Sequence, residues 1–277
     1  MEQAARLTPD ARIVVVDLAT GRLLASHRLS DAARTLAAPG STLKPLVLYS
    51  LVSTGRWNAE RRIACDRKLV VSGRSLACTH PAAPPFDARE ALAWSCNSYF
   101  ANVARTLEPG ELGRLLRPTG LLAVTGIAGN TAPTEAAAEF REPTNPDRTQ
   151  LALLGVEGIR VTPLELAAAY RWLALQMTAH PDSEASQVVR AGIEDSANFG
   201  MARQAAGSAV SVAGKTGTAE GTASTQTHGW FAGLAPAGNP QVVLIVYLPA
   251  GRGADAAGVA ADVLSHSPLA HESQRHP

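Results

Sequence analysis

The chain has 277 residues, a formal charge of +1 and 46% hydrophobic residues, enough for one large domain or two small ones. The near-zero net charge argues against a nucleic-acid-binding protein, because binding along phosphates requires a clustered positive surface. The longest apolar run, 242–248, has the length of a strand and is too short to cross a membrane. Residues 1–3 carry neither the basic nor the apolar region of a signal peptide. If the chain is exported, we expect its targeting signal or membrane anchor to lie outside these residues.

Strands are predicted at both ends of the chain. Arg12–Asp17 is a β-branched run, and turn residues separate it from a second apolar stretch at 22–26, which predicts a hairpin. Three more strands are predicted near the other end by apolar runs or alternation: 210–218, 229–234 and 242–248. A helix over 254–264 follows, and we expect the polar tail at 265–277 to be disordered.

The middle of the chain is dominated by helical patterns. Apolar spacing and capping residues predict these helices: 41–52, 87–107 with an interruption near Ser95, 111–116, 162–176 and 197–206. Residues 125–149 are rich in Thr, Pro, Gly and Asn and predict a long surface loop.

This order of elements predicts an α+β fold. Strands from both ends form one antiparallel sheet flanked by helices, and the middle is inserted as an all-helical subdomain. We therefore expect a single domain over 1–277, with an α/β part at 11–40 and 207–264 and a mainly helical part at 41–206.

Lysine is scarce, which makes each lysine informative. Of the 25 Lys and Arg residues, only Lys44, Lys68 and Lys215 are lysines. Coding bias explains most of this imbalance, but a lysine is required where a basic side chain must lose its proton, since arginine effectively never does. Lys68 has no motif around it and is interpreted as a surface charge.

Ser41 and Lys44 form the first candidate site. They are three positions apart at the start of a predicted helix, so the amine can reach the serine hydroxyl. A neutral, desolvated lysine can take the proton from a serine that attacks a carbonyl, and the helix N-terminus favours the resulting oxyanion. Pro45 has no N–H for the Ser41 carbonyl, which predicts local distortion there. Because Ser-x-x-Lys also arises by chance, the motif is weak alone.

A second motif, Lys215-Thr216-Gly217 followed by Thr218, lies on a predicted strand. Glycine inside a strand is unfavourable unless another backbone or a ligand approaches closely. The lysine and the two threonines would give a positive, hydroxyl-lined edge suited to a carboxylate. A phosphate loop is rejected, because that motif requires glycine where the chain has Ala209.

Ser95 and Asn97 form a third motif within an apolar helical stretch. Polar side chains are unexpected there, which favours a functional role for them. A second Ser-x-Asn at 196–198 is interpreted instead as the capped start of a helix.

The order Ser-x-x-Lys, Ser-x-Asn, Lys-Thr-Gly resembles the motif set of the penicillin-recognising acyl-serine enzymes. The flanking sequence is also similar to penicillin-binding-protein transpeptidase domains, over roughly residues 11–264. The segments that carry this similarity are 39–45, 90–100, 158–170, 213–220 and 228–233.

The resemblance implies catalytic roles for four residues. Ser41 would be acylated and Lys44 would be its general base. Ser95 would relay a proton to the leaving amine, and Lys215 would supply positive potential.

The resemblance also implies substrate-binding roles. Asn97 would hydrogen-bond the amide of the substrate chain, and the hydroxyls of Thr216 and Thr218 would bind the terminal carboxylate on the strand that contains Gly217. Backbone N–H groups of Ser41 and Thr218 would form the oxyanion hole.

The implied activity is that of a D,D-transpeptidase or D,D-carboxypeptidase acting on peptidoglycan stem peptides that end in D-Ala-D-Ala, with β-lactams as covalent inhibitors. Such an activity implies an extracytoplasmic location. A serine β-lactamase is the first alternative, although no carboxylate is marked by spacing as a deacylating base. A non-catalytic β-lactam sensor or envelope-assembly module, with protein partners, is the second.

The cysteines and histidines show no metal-binding spacing. Cys65 and Cys78 are either a disulfide pair in an oxidising compartment or two unrelated thiols. Cys96 is interpreted as a small buried hydrophobe. The seven histidines are scattered, so we expect neither a metal nor another cofactor.

Overall fold

The computed structural model describes residue 6 and residues 8–129, 134–220 and 226–273. Within these ranges the strands are β1 (Arg12–Asp17), β2 (Leu23–His27), β3 (Val70–Val71), β4 (Arg74–Ser75), β5 (Glu139–Phe140), β6 (Ile159–Arg160), β7 (Ala213–Glu220), β8 (Thr227–Ala235) and β9 (Val242–Leu248).

The helices of the same ranges are α1 (Leu29–Ala32), α2 (Lys44–Ser53), α3 (Ala88–Ala93), α4 (Asn97–Ala104), α5 (Glu111–Leu116), α6 (Pro146–Leu153), α7 (Pro163–Ala179), α8 (Glu184–Asn198), α9 (Gly253–Ser265) and α10 (Pro268–Ser273). No helix in the described part of the chain combines the length and the apolar character needed to cross a membrane.

A five-stranded antiparallel sheet with the order β2-β1-β9-β8-β7 joins the two ends of the chain. The predicted α+β class, with helices flanking an antiparallel sheet, is confirmed. The middle of the chain is not purely helical as expected, because β3 pairs with β4 and β5 pairs with β6 in two small sheets. Strand β7 forms one edge of the large sheet, which leaves its outer side next to the helical part.

The sheet separates two hydrophobic cores. One core lies between the sheet and the helical part and includes Val14, Trp230 and Ile245, and the other lies under α9 and includes Phe231 and Leu244. Neighbouring residues of each strand point to opposite faces, so both faces of β8 and β9 are apolar. This explains why β9 is buried along its whole length.

Capping residues begin the helices where the sequence predicts them. Thr162 accepts a hydrogen bond from the Glu165 N–H, and the Glu165 carboxylate accepts one from the Thr162 N–H, so α7 begins with a capping box. Asp87 and Glu90 form the same arrangement before α3.

The region after α7 differs from prediction. Helix α8 occupies Glu184–Asn198, where no helix is predicted before residue 197. The predicted helix 197–206 contains only the end of α8 and most of a 3₁₀ turn at Arg203–Gly207. Ser196 therefore lies in the last turn of α8, not at a helix start. The buried residues of α8 recur at helical spacing, at 185–186, 189, 192–193 and 196–197, so the sequence carries an amphipathic signal that the prediction overlooked.

Two predicted irregular segments also contain regular structure. The predicted loop 125–149 contains β5 and the start of α6 at Pro146, although 130–133 lie outside the described residues. The tail predicted to be disordered from residue 265 contains α10, because Pro268 suits a first helical turn and Ala270 is buried against the core under α9. Residues 274–277 lie outside the described residues.

We predict that L244A lowers the free energy of unfolding by about 2–5 kcal/mol, because Leu244 is fully buried and its loss leaves a cavity. The control L24A removes the same atoms from a side chain that is 56% exposed, and should cost less than about 0.5 kcal/mol. Urea unfolding measures both values. Equal losses would contradict the placement of β9 at the centre of the sheet.

Candidate functional site

Ser41 lies in a 3₁₀ turn, Gly40–Leu43, that leads directly into α2. The N–H of Lys44 donates to the Ser41 carbonyl, which is a bond three residues back along the chain. Pro45 has no N–H and cannot make the α-helical bond to that carbonyl. The distortion predicted at Ser41 is confirmed, because the tighter turn replaces the first α-helical turn.

Hydrogen bonds with several other elements hold the backbone on both sides of Ser41. They are His228 Nε2 and Trp230 Nε1 to the Ala38 carbonyl at 2.8 and 2.9 Å, the Gly40 N–H to the Gly155 carbonyl at 2.9 Å, and the Tyr170 hydroxyl to the Thr42 carbonyl at 3.0 Å. Burial lowers the pKa of His228, so its neutral ring suits this structural role. The serine is therefore held on a turn that is anchored to strand, loop and helix.

Strand β7 packs backbone to backbone against this turn. A Cβ on Gly217 would lie 2.4 Å from the Pro39 carbonyl oxygen, and a Cβ on Gly40 would lie 2.9 Å from the Thr218 nitrogen. Gly40 also has a φ of +56°, which glycine adopts without strain. The prediction that Gly217 marks a close backbone approach is confirmed, and Thr218 lies directly beside the Ser41 turn.

Lys44 is fully buried and points to the Ser95–Asn97 turn. Its Nζ donates to the Ser95 carbonyl at 2.9 Å, to Ser95 Oγ at 3.3 Å and to Asn97 Oδ1 at 2.7 Å. These acceptors are all uncharged. Burial lowers the pKa of Lys44 to about 8.

The Ser95–Asn97 turn exists because the predicted long helix breaks at this point. Helix α3 ends at Ala93, Ser95 has a φ of +55°, and α4 begins at Asn97. A left-handed conformation at a serine costs of the order of 1–3 kcal/mol and requires support from its surroundings. The contacts with Lys44 and the bond from Asn97 Nδ2 to the Leu76 carbonyl at 3.0 Å supply that support.

Lys215 is the second fully buried lysine of the site. Its Nζ donates to the Thr216 carbonyl at 3.2 Å. Burial lowers the pKa of Lys215 well below its ordinary value, and the charge of Lys44 lowers it further. The second effect requires that the two amines lie close enough to interact.

The two threonines of β7 differ in their contacts. The Thr216 hydroxyl is nearly buried and donates to the Met201 carbonyl at 3.4 Å. The Thr218 hydroxyl is on an exposed residue and accepts from the Gly253 N–H at 2.9 Å, which leaves its own proton to donate.

The structure thus brings the predicted motifs to one region between the sheet edge and the helical part. Within the described residues, neither Lys44 nor Lys215 forms an ion pair, since the salt bridges join arginines to acidic residues. The two buried amines therefore lie beside the Ser41 turn without a neutralising carboxylate among the described residues, and the hydrogen bonds of Lys44 Nζ go to Ser95 and Asn97 and not to the Ser41 hydroxyl. Such a site can activate the hydroxyl and attract an anion.

A group of side chains of the types that bind metals lies next to the Ser95–Asn97 turn. This group was not predicted from the sequence, because its members are not spaced like a known metal-binding motif. Cys65, Cys78, His80 and Cys96 place their ligand atoms within 4.8 Å of one another. The three cysteines are free thiols, so Cys65 and Cys78 are not bridged, although they are neighbours. The short Cys78-x-His80 spacing was the available signal, but the other two residues join only through the fold.

Comparison with known proteins adds a family and a fold. The family described as penicillin binding protein transpeptidase domain matches residues 11–266. No curated protein sequence matches the chain significantly.

Solved structures similar to this chain share its fold at low sequence identity. A structure described as a peptidoglycan glycosyltransferase from Burkholderia ambifaria has a TM-score of 0.81 and 20% identity, over 100% of this chain and 93% of that one. The transpeptidase domain of Burkholderia pseudomallei penicillin-binding protein 3 has a TM-score of 0.79 and 19% identity, over 99% of this chain and 90% of that one. Penicillin-binding protein 2 of Helicobacter pylori, solved in complex with MreC, has a TM-score of 0.80 and 18% identity, over 95% of this chain and 60% of that one.

We predict that G217A destabilises the protein by about 1–3 kcal/mol, because the added methyl group would collide with the Pro39 carbonyl and force β7 away from the Ser41 turn. The control G238A adds the same methyl group in open space and should change stability by less than about 0.5 kcal/mol. Thermal and urea unfolding report both effects. An unchanged G217A protein would show that the strand and the turn are not in contact.

Proposed function

Because the chain belongs to the penicillin-binding protein transpeptidase domain family, we propose that it acts on peptidoglycan stem peptides ending in D-Ala-D-Ala, as a D,D-transpeptidase or D,D-carboxypeptidase. The reaction proceeds through an acyl-Ser41 intermediate. Such substrates lie outside the cytoplasm, so the proposal includes an extracytoplasmic location. The observation that carries it is the buried, carboxylate-free Lys44 one turn after Ser41.

Lys44 is the proposed general base for acylation. A neutral amine has two N–H bonds, which the Ser95 carbonyl and Asn97 Oδ1 can accept at 2.9 and 2.7 Å. Its lone pair then remains for the proton of Ser41. As Ser41 Oγ bonds to the carbonyl carbon of the penultimate D-Ala, that proton moves to Lys44 and the carbonyl becomes an oxyanion.

The oxyanion is proposed to bind the N–H groups of Ser41 and Thr218. The support for this pairing is the contact between Gly40 and Thr218, which brings the two backbone segments together. Backbone donors fixed at a developing negative charge stabilise the transition state without reorganisation.

Ser95 is proposed to return the proton to the leaving group. Its Oγ lies 3.3 Å from Lys44 Nζ, so a proton on Lys44 can pass through this hydroxyl to the departing D-Ala nitrogen as the C–N bond breaks. Asn97, which holds Lys44 through its amide oxygen, is proposed to bind the substrate amide as well.

The terminal carboxylate of the peptide is proposed to bind β7. Burial disfavours the charged form of Lys215, but a substrate carboxylate bound beside it would raise its pKa again, so Lys215 is proposed to supply positive potential when the anionic substrate is bound. The exposed Thr218 retains a hydroxyl proton for the substrate. Thr216 joins this edge through its hydroxyl. Gly217 lets the strand approach the Ser41 turn, and this close approach supports a carboxylate site beside the proposed nucleophile.

The fate of the acyl-enzyme separates this proposal from a β-lactamase. Rapid hydrolysis requires a group that activates water at the ester. Within the described residues, the contacts of Lys44, Ser95 and Asn97 include no carboxylate. This favours a long-lived acyl-enzyme that an amine or, more slowly, water resolves.

We predict that a fluorescent penicillin labels the protein covalently and stably, and that S41A abolishes the label. The control S53A removes an exposed hydroxyl at the end of α2, the helix that follows the Ser41 turn, and should label normally. Gel fluorescence with mass spectrometry of the labelled peptide measures both. Rapid loss of the label would indicate a β-lactamase, and no label on folded protein would favour a non-catalytic binding module.

We predict that K44R lowers the second-order labelling rate by about 10²–10⁴-fold, since arginine keeps the charge but does not act as a base. The exposed Lys68 offers a matched control, and K68R should label at the normal rate. Stopped-flow or quenched-flow labelling gives the rates. A normal rate in folded K44R protein would remove Lys44 from the mechanism.

The acylation rate should depend on pH through Lys44. Because burial lowers the pKa of Lys44 to about 8, the neutral amine becomes more abundant as the pH rises toward that value. The rate at saturating β-lactam should rise about tenfold per pH unit below pH 8 and level off above it. Saturation removes the binding contribution of Lys215, and a flat profile between about pH 6 and 9 would contradict a lysine base.

A further inference from the structure

Four side chains from two segments meet behind the Ser95–Asn97 turn. Cys65, Cys78 and His80 come from the segment that includes β3 and β4, and Cys96 is the N-cap of α4. Cys78, His80 and Cys96 are buried, and Cys65 is half-buried. Three thiols and an imidazole at one buried point are the donor set of a structural zinc site.

The distances suit a tetrahedral ion. Cys65 Sγ lies 3.6 Å from Cys78 Sγ and 3.5 Å from His80 Nε2, and Cys78 Sγ lies 4.0 Å from Cys96 Sγ. Zinc bonds of about 2.3 Å to sulfur and about 2.0 Å to nitrogen give edges of about 3.8 Å between sulfurs and about 3.5 Å between sulfur and nitrogen. The remaining separations, within 4.8 Å, would contract by about 1 Å or less on binding.

We propose that Cys65, Cys78, His80 and Cys96 bind one zinc ion that fastens the segment 65–80 to the Ser95–Asn97 turn. Thiolates favour zinc over magnesium or calcium, which prefer oxygen ligands. Binding converts the thiols to thiolates, and their protons leave to solvent.

A disulfide explains the cluster less well than a metal. A bond between Cys65 and Cys78 would use two of the four groups and would not explain why Cys96 Sγ and His80 Nε2 also lie at this buried point. A zinc ion uses all four groups, whose ligand atoms lie within 4.8 Å of one another and can therefore surround one common centre.

Surrounding hydrogen bonds orient the donors toward that centre. His80 Nδ1 lies 2.7 Å from the Pro81 carbonyl, so this nitrogen carries the proton and Nε2 presents a lone pair to Cys65. Fixing a ligating histidine through its other nitrogen is a general feature of metal sites.

Backbone N–H groups also point to two of the sulfurs. The Asn97 N–H donates to Cys78 Sγ at 3.1 Å, and the Tyr99 N–H donates to Cys96 Sγ at 3.4 Å. Such bonds stabilise thiolates. They also connect the proposed zinc site to the residues that hold Lys44.

The position of Cys96 gives the ion a role in the proposed reaction. Cys96 lies between Ser95 and Asn97, both of which accept hydrogen bonds from Lys44. Zinc would therefore act as a positioning element for the left-handed turn. This second part of the inference rests on the proposed function, whereas zinc binding itself does not.

The test begins with metal content, independent of penicillin. Reduced full-length protein should bind one equivalent of zinc by plasma mass spectrometry, and its thiols should resist a disulfide reagent until zinc is chelated. Cobalt should replace zinc and give the intense visible bands of a tetrahedral thiolate site. Failure of folded, reduced protein to bind zinc, or a Cys65–Cys78 disulfide in protein purified with zinc present, would overturn the proposal.

Variants identify the ligands. C65S and H80N should lower zinc affinity by at least about 10–100-fold and change the cobalt spectrum. The control H266N alters an exposed histidine elsewhere and should bind zinc normally. Normal zinc affinity in C65S would exclude this donor set.

Labelling with fluorescent penicillin tests the positioning role. C65S should label Ser41 at least about tenfold more slowly than wild type at equal folded fraction, and excess zinc should partly restore the rate. If C65S loses zinc but labels at the normal rate, the ion does not position the turn. If wild-type protein binds zinc but does not label, the proposed function fails and the metal site stands.

Discussion

The site depends on the burial of an amine without an opposite charge. Removing an ammonium ion from water costs several kcal/mol unless a carboxylate pairs with it or the group loses its proton. The hydrogen-bond acceptors of Lys44 are uncharged carbonyl, hydroxyl and amide oxygens, and burial lowers its pKa to about 8. Arginine cannot make this adjustment. A chain that uses arginine almost everywhere therefore retains lysine here.

The surrounding structure supplies the support that such a group requires. The left-handed Ser95 brings two oxygen atoms toward the amine, and the capped start of α4 fixes Asn97 beside it. Gly217 and Gly40 allow the sheet edge to close against the serine turn. Each of these features restricts the backbone conformation or the residue type at its position. Together they shape the region around Ser41 and Lys44.

Much of this arrangement could be predicted from sequence because its determinants are local. Ser41 and Lys44 share a turn whatever the rest of the chain does, and Pro45 distorts that turn through its own missing N–H. Gly217 predicted a close backbone contact, because glycine is unfavourable within a strand unless another group approaches it closely, and the structure contains that contact. The five strands of the large sheet could be predicted too, because their apolar runs are short and bounded by turn residues, whereas the two-residue strands β3 to β6 carry no such pattern.

The features that sequence did not reveal are those made by tertiary contact. Helix α8 was missed although its buried residues recur at helical spacing; many of them are small or polar, and their role becomes plain only in the packing against α3 and β7. The cysteine and histidine cluster joins positions 65 and 96 through the fold. Spacing rules describe metal sites within one short segment, and this group does not follow them.

The antiparallel sheet joins the first strand to the last, with Arg12 opposite Tyr247. Strand β7, which packs against the Ser41 turn, follows that turn by a long stretch of chain, and β8 and β9, which complete its sheet, come later still. The surroundings of the proposed nucleophile are therefore assembled from distant parts of the sequence. Because such long-range pairing makes folding slow, we expect the sheet edge to close against the turn late in folding.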